Sequence, residues 1–336
     1  MGVIRWLDDQ QRRRPWAGLP LAVVYKMVDD QATFLAAMIT YYGFLSLFPV
    51  LLLLVTLLGF ALSGNPDLQQ EVLQSALRDF PIIGDQIGGN IHSLQGSTFA
   101  LVVGIVGGLY GALGVGVAAQ NAMNKIWAVP RAERPALVPL YGRSAALLGV
   151  LALNVAATTV LAALSTAAGT WASGPVDTAV RVGAVAASLL LNAGFVIFAY
   201  RLLTARTLPV RGLWSGAVTA SVLWQVLQSV GTYLLEHQLR GATATYGLFG
   251  IVLGLLSWIY LAALILVLGA EINVVRAERL YPRSLLAPYP DDTALTGADR
   301  RAYAAYAETE RQKDHQTVET EFAPPGPEAP SRSDPG

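Results

Sequence analysis

Residues 241–270 read GATATYGLFGIVLGLLSWIYLAALILVLGA, and this run of 30 residues contains no Asp, Glu, Lys, Arg or His. An α-helix needs about 20 apolar residues to cross the hydrocarbon core of a bilayer. A helix at the surface of a water-soluble protein would instead carry charged residues on its solvent face. The run therefore predicts a helix that spans a membrane.

Five further stretches also lack ionisable side chains and are long enough to span a bilayer. The six stretches are 31–66, 93–124, 144–176, 182–200, 212–235 and 241–270. Only 14% of all residues are charged, whereas a soluble domain carries about 25%. The sequence predicts an all-α, polytopic membrane domain of six transmembrane helices over residues 31–280.

The positive charges between the spans predict how the domain is oriented. The N-terminal segment and the loops after spans two, four and six hold 15 Lys and Arg residues, and the other three loops hold 3. Cytoplasmic loops of membrane proteins carry the excess of Lys and Arg. We therefore predict that both termini lie in the cytoplasm.

Three segments outside the spans have their own character. Residues 1–30 predict a cytoplasmic arm with an interfacial helix over the apolar run 19–28. In the outer loop, residues 64–97, apolar residues recur every three or four positions, which predicts amphipathic helices that serve either as a packed lid or as a substrate gate. Residues 287–336 are rich in Pro, Asp, Glu, Ser and Arg, so we predict a disordered cytoplasmic tail.

The composition argues against an enzyme. The chain has no cysteine, which excludes a thiol nucleophile and cysteine metal ligands, and its three histidines are scattered. No histidine lies near the paired acids at 8–9, 29–30 and 291–292, so no acid–base or metal-binding set is recognisable. We predict no catalytic residue, no bound metal, no cofactor and no nucleic-acid partner.

Glycines at four-residue spacing predict where the helices touch. Inside lipid, helices associate through close packing and interhelical hydrogen bonds, and small residues let their backbones approach. Spans two, five and six carry such repeats, so these three helices should approach one another closely or approach partners in an oligomer. The glycines expected at helix contacts are Gly104, Gly108, Gly111, Gly250 and Gly254.

Span five carries a polar face. Ser221, Gln225, Gln228 and Thr232 are four, three and four positions apart, so they share one side of a helix. An unpaired polar group is costly in hydrocarbon, so this face must contact protein or water. Two interpretations stay open: a ladder of interhelical hydrogen bonds, or a polar groove for a headgroup or a hydrophilic solute.

Other polar residues are candidates for the same path or for its cytoplasmic mouth. Pro49 predicts a kink, static or hinge-like, that frees the carbonyl of Leu45 and leaves Ser46 to satisfy the backbone. The remaining path candidates are Tyr41, Tyr42, Asn154 and Asn192. The candidates at the mouth are Asp29, Asp30, Asn121, Asn124, Arg201 and Glu271. No ionisable residue lies at the centre of a span, which weakens the case for a proton-driven transporter.

Three segments carry a resemblance to a known family. Residues 29–51 read DDQATFLAAMITYYGFLSLFPVL, residues 118–127 read AAQNAMNKIW, and residues 211–275 run from RGLWSGAVTASVLWQ to LVLGAEINVV. Together they resemble the YihY/BrkB family of bacterial inner-membrane proteins, over about residues 20–280. The resemblance implies six helices and a location in the bacterial plasma membrane.

The resemblance implies no settled activity. Members of the family have been labelled ribonuclease BN, a name widely regarded as misassigned; one branch is linked to serum resistance, and another has been proposed to export a lipid A precursor. For this chain we expect transport or flipping of a lipid or another amphiphile, with membrane lipids and a lipid-linked or amphipathic cargo as partners. The alternatives are a non-transporting scaffold or envelope-integrity factor, and a carrier for a small neutral solute. The sequence predicts no particular oligomeric state.

Overall fold

The computed structural model describes residues 18–61, 98–171, 175–237, 239–284 and 295–322. In these ranges the chain forms eight α-helices and one short 3-10 turn, and they contain no β-strand. The helices are α1 (Leu19–Asp29), α2 (Ala32–Ala61), α3 (Thr98–Ile126), α4 (Leu137–Trp171), α5 (Pro175–Leu203), α6 (Val210–His237), α7 (Leu239–Ala277) and α8 (Gly297–Thr309). The predicted all-α class is confirmed. The outer loop at 64–97 lies outside the described residues.

The six long helices form a closed ring. Each helix from α2 to α7 contacts the next one along the chain, and α7 returns to contact α2. Helix α3 also contacts α5 and α7, the helices two positions away from it in the ring. The ring is therefore collapsed around α3, whose last turns contain the fully buried Ala122, Met123 and Ile126.

Four of the long helices are apolar enough to cross a membrane. Their apolar windows are Val102–Ile126, Leu137–Thr158, Thr178–Leu203 and Val252–Ala277, which match predicted spans two, three, four and six. Only 11% to 33% of these windows is buried within the protein, so most of their apolar residues face outwards, towards lipid. Among the described side chains, α2 contributes a shorter apolar segment, Ala32–Leu47, and α6 contributes none of the four windows. The arrangement of six spans with both termini inside stays a prediction.

Glycines bring α2 and α3 into close contact. A Cβ atom added at Gly111 would lie 2.6 Å from the Cα of Ser46, and one added at Gly107 would lie 3.0 Å from Cγ of Pro49. Gly114 likewise leaves room for the ring of Tyr42. The predicted packing role of Gly111 is confirmed, because any side chain there would overlap the backbone of α2.

The other predicted packing glycines differ in their surroundings. Gly104 and Gly108 are buried on α3, and Gly250 is half-buried on α7. A Cβ atom added at Gly254 would meet nothing within 4 Å, so this glycine makes no close helix contact within the chain, and contact with an oligomer partner stays a prediction. Four-residue spacing identifies a face of small residues, but it does not show that another helix lies against every turn of that face.

Helices α6 and α7 cross at a pair of glycines that the sequence did not single out as a pair. A Cβ atom added at Gly269 would lie 2.7 Å from the carbonyl oxygen of Gly216. Beside this crossing, the backbone N–H of Gly216 donates to Oδ1 of Asn273 at 2.7 Å, and the hydroxyl of Ser215 donates to the same oxygen at 3.2 Å. The contact between α6 and α7 is therefore fixed by both close packing and hydrogen bonds.

Pro49 lies within a single continuous helix. Helix α2 runs from Ala32 to Ala61 through Pro49, and the proline ring packs against Gly107 of α3. The hydroxyl of Ser46 donates to the carbonyl of Gly43 at 2.8 Å. Ser46 thus bonds to the helix backbone, and the carbonyl it reaches is that of the residue three positions earlier, not the carbonyl of Leu45.

The prediction of disorder over residues 287–336 is wrong for α8. The side chain of Thr296 accepts a hydrogen bond from the backbone of Asp299, and the Asp299 carboxylate accepts one from the backbone of Thr296. Ala298 and Ala302 are buried against the rest of the protein. The helix is held by its capping box and by polar contacts to distant residues, neither of which overall composition reveals.

We expect Gly111→Ala to lower the melting temperature of the detergent-solubilised protein and Gly254→Ala to leave it unchanged or slightly higher. Both substitutions gain about 1 kcal/mol of helix propensity. Only the methyl group at residue 111 meets the α2 backbone, and overpacking of this kind costs about 1–3 kcal/mol. Equal melting temperatures for the two variants would contradict the close α2–α3 contact.

Candidate functional site

The loops after α3 and α5 lie at one end of the ring, together with α1 and α8; we call it the α1 end. The backbone N–H of Ala205, after α5, donates to Oδ1 of Asn124 near the end of α3 at 2.8 Å. Arg131, in the loop after α3, pairs with Glu310 just beyond α8 at 3.1 Å. These contacts join the loops after α3 and α5 and the C-terminal helix α8 into one polar layer.

A group of three buried charged side chains, which we call the buried triad, lies beneath this layer. Lys26 lies on α1 and Asp30 is the C-cap residue of that helix, four positions later and on the same face, and Glu271 comes from α7. The Lys26 ammonium donates to the Asp30 carboxylate and, at 3.0 Å, to the carbonyl oxygen of Ile126 at the end of α3. Its Nζ lies 3.8 Å from Oε2 of Glu271. One cation thus joins three helices.

Glu271 has the least ordinary environment of the three. Its side chain is 0% exposed, and neither of its oxygens accepts a hydrogen bond from the described residues. An isolated carboxylate removed from water is strongly unfavourable unless it is paired and hydrogen-bonded. The burial of Glu271 therefore requires compensation by a nearby charge or by a proton.

Arg283 forms a second ionic layer above the triad. Its Nη1 donates to Oδ2 of Asp29 at 2.6 Å, and its Nε donates to Oδ1 of Asp299 at 2.9 Å. The rings of Tyr25 and Tyr303 lie 5.7 and 5.6 Å from the guanidinium carbon. Burial alone would lower the pKa of Arg283, but the hydrogen bonds with Asp299 and Asp29 hold it above its ordinary value. This layer attaches α8 to α1.

Tyr306 of α8 covers the triad from the polar side. Its ring lies 5.2 Å from Nζ of Lys26, and its hydroxyl donates to Oδ2 of Asp29 at 3.3 Å. Burial, followed by the charges of Asp30 and Asp29, raises the pKa of the Tyr306 hydroxyl. Burial also raises the pKa of Asp30, although the charge of Lys26 opposes the shift. The two layers together contain two cations, Lys26 and Arg283, and four carboxylates.

The structure brings together three of the predicted mouth residues. Asp29, Asp30 and Glu271 all belong to the two ionic layers. Asn124 is buried nearby and holds the loop after α5, whereas Asn121 and Arg201 are exposed and have no contact with the triad among the described interactions.

The predicted path residues lie in different surroundings. Asn154 of α4 donates to Asn192 of α5 at 3.1 Å, so this pair is brought together. Tyr42 packs against Gly114, while Tyr41 is 61% exposed. On α6, Ser221 is buried, Gln225 is half-buried and Gln228 is exposed; the side chain of Thr232 lies outside the described residues. The polar face of span five is therefore spread from the interior to the surface.

Two clefts open at the α1 end. One, of about 490 Å³, is lined by Arg143, Arg201 and Arg206 together with apolar residues that include Phe198 and Leu202. The other, of about 560 Å³, is lined by residues from α6 and α7: Arg211, Gly212, Trp214, Ser215, Val218, Arg276 and Ala277. Neither cleft is lined by Gln225 or Gln228.

Sequence reasoning missed four residues of the ionic layers: Lys26, Arg283, Asp299 and Tyr306. The spacing of Lys26 and Asp30 signals an ion pair along a helix, and Thr296 with Asp299 matches the spacing of a capping box. No local pattern signals that Arg283 and Tyr306 reach α1. Among the described residues, no group of three or more His, Asp or Glu is arranged to hold a metal ion.

We expect Asp299→Ala to loosen α8. Removing one partner from a buried ion pair costs about 3–5 kcal/mol because the other charge is left unpaired. Since the chain has no cysteine, a single cysteine at the buried Ala302 reports on α8 through its rate of maleimide labelling. Labelling should become several-fold faster in the Asp299→Ala background.

A cysteine at Arg300, which is exposed, provides the control and should label at the same rate in both backgrounds. Glu308→Ala, at a partly exposed site on the same helix, should leave the Ala302→Cys rate unchanged. An equal rate at residue 302 with and without Asp299 would show that the Arg283–Asp299 pair does not hold α8.

Comparison with known proteins identifies the family. The model of the family described as "Virulence factor BrkB" matches residues 23–292, which include all of α2 to α7 and most of α1 but not α8. No curated protein and no solved structure gives a significant match. The match covers far more than half of the chain and agrees with the apolar helices described above. The chain belongs to the BrkB virulence factor family and is a multi-pass integral membrane protein.

Proposed function

We propose that this protein moves a lipid or another amphiphile across the bacterial plasma membrane, and that the α1 end faces the cytoplasm. The observation that carries the proposal is the cleft of about 490 Å³ lined by Arg143, Arg201 and Arg206. It combines three cations with the apolar side chains of Phe198 and Leu202. An anionic headgroup with an attached acyl chain has the matching chemistry.

The placement of the arginines supports the same proposal. Arg201 lies in the last turn of an apolar window that ends at Leu203, so the cleft lies where that window meets the polar layer. Arg143 donates only a long bond, 3.5 Å, to the carbonyl of Thr204, and Arg201 is exposed. Both guanidinium groups are thus available to a phosphate at the depth of the headgroups.

A scaffold without transport activity is the second candidate. The collapsed ring and the close α2–α3 and α6–α7 contacts favour it, because a tightly packed bundle leaves little room for cargo. The two candidates differ in one measurable respect: only a transporter changes the leaflet in which a lipid resides.

Liposomes that contain the purified protein should move labelled anionic phospholipid between leaflets faster than empty liposomes, as followed by leaflet-selective quenching. Arg143→Gln/Arg201→Gln should slow this movement several-fold, because the cleft loses two of its three cations. Arg300→Gln, on the surface of α8, removes a cation at the same end outside the cleft and should have no effect. No movement above empty liposomes for anionic and zwitterionic lipids would favour the scaffold.

We expect a reporter fused after Phe322 to be active only if it is of the kind that functions in the cytoplasm. The N-terminal segment and the loops on the same side hold 15 of the 18 Lys and Arg residues that flank the spans. This excess predicts that the C-terminal side lies in the cytoplasm. A fluorescent protein that matures in the cytoplasm should therefore fluoresce, and alkaline phosphatase, which requires the periplasm, should be inactive. Active phosphatase at this position would reverse the orientation.

A further inference from the structure

We propose that the buried triad of Lys26, Asp30 and Glu271 is a proton-binding site and that the Glu271 carboxyl carries the proton. This site is separate from the arginine-lined cleft, and the proposal does not depend on lipid movement. The argument follows from the hydrogen bonds of Lys26, from the balance of charge, and from what two neighbouring carboxyls require.

Glu271 accepts no hydrogen bond from Lys26. Of the three N–H donors of this ammonium group, one is used by Asp30 and one by the carbonyl of Ile126, and the third does not reach Glu271. The distance of 3.8 Å from Nζ to Oε2 of Glu271 is too long for a hydrogen bond. Both oxygens of a fully buried carboxyl are therefore unsatisfied if Glu271 is ionised.

The charges around Glu271 are also unbalanced. Arg283 is shared by Asp29 and Asp299, and Lys26 is held by Asp30, so no full counter-charge is left for Glu271. Asp29 retains 28% exposure and can be solvated, whereas Glu271 cannot. The titratable groups on the surrounding elements are Tyr25, Lys26, Asp29 and Asp30 of α1, Lys125 of α3, Arg283 after α7, and Asp299, Tyr303 and Tyr306 of α8. Lys125 lies towards the exposed side, where it donates to Gln31 at 3.4 Å.

A proton resolves both difficulties. Asp30 and Glu271 both lie against the Lys26 ammonium, but two carboxylates accept only and cannot bond to each other unless one is protonated. A proton on Glu271 removes the unpaired charge and converts this carboxyl into a donor to Asp30. The Lys26 ammonium already lies against both carboxyls, so a metal cation at the same place would be repelled at close range.

Loss of this proton should weaken the contact between α1 and α7. Deprotonation leaves a second buried negative charge beside Asp30 with only Lys26 to compensate for both. Folding thus favours the protonated form of Glu271, whereas the same side chain in the unfolded protein is ionised near neutral pH. Stability from this group is therefore greatest at low pH and declines as rising pH removes the proton.

Infrared spectroscopy of the purified protein in lipid nanodiscs tests the proposal. At neutral pH the wild type should show the C=O stretch of a protonated carboxyl, and Glu271→Gln should lack that band. Glu278→Gln, at a carboxyl that is 43% exposed, should keep it. A band that persists unchanged in Glu271→Gln would overturn the proposal.

Two further measurements cover the remaining outcomes. The melting temperature of the wild type should fall as the pH is raised from neutral to mildly alkaline, and that of Glu271→Gln should fall less. If Glu271→Gln does not fold, Asp30→Asn replaces it; the band should then shift in frequency, and an unshifted band would contradict a proton shared with Asp30.

Stabilisation of the wild type by sodium over potassium, lost in Glu271→Gln, would assign the site to a metal cation and overturn the proposal.

Discussion

The α1 end of this protein depends on the interactions of the Lys26 ammonium group. This group is 3% exposed, and it bonds to Asp30 of its own helix and to the last carbonyl of α3 while lying beside Glu271 of α7. A cation out of water is tolerated only when such partners surround it. This need positions α1 across the ends of α3 and α7. The position of α1 in turn places Asp29 beneath Arg283 and Tyr306, and so provides the surface on which α8 lies.

The sequence predicted the apolar architecture well where one physical cause dominates. Long runs without charge correctly indicated spans two, three, four and six, because the length of an apolar run is set by the thickness of the bilayer. Small-residue spacing correctly indicated the close contact at Gly111, whereas nothing in the same chain lies within 4 Å of a Cβ atom added at Gly254. Spacing marks a face on one helix, whereas a contact needs two helices, and the partner helix is specified elsewhere in the chain.

The candidate site was predicted only in part, for a related reason. Asp30 and Glu271 stood out because acids beside apolar spans are rare, but Lys26 and Arg283 had been counted only among the positive charges that set orientation. Composition indicated disorder where α8 forms, since it cannot show that Asp299 pairs with a residue 16 positions earlier. The polar residues that spacing assigns to one face of α6 range from buried to exposed among the described side chains, which helical spacing alone does not determine.

The family match ends at residue 292, while α8 begins at Gly297. Trimming the chain to the matched region for expression would therefore delete Asp299 and Tyr306 and keep Arg283 and Lys26. The shortened protein would have all six long helices, yet Arg283 would retain one of its two carboxylates and the aromatic cover over Lys26 would be gone. Purification tags and truncations for this protein should accordingly be placed beyond Phe322, not at the boundary of the family.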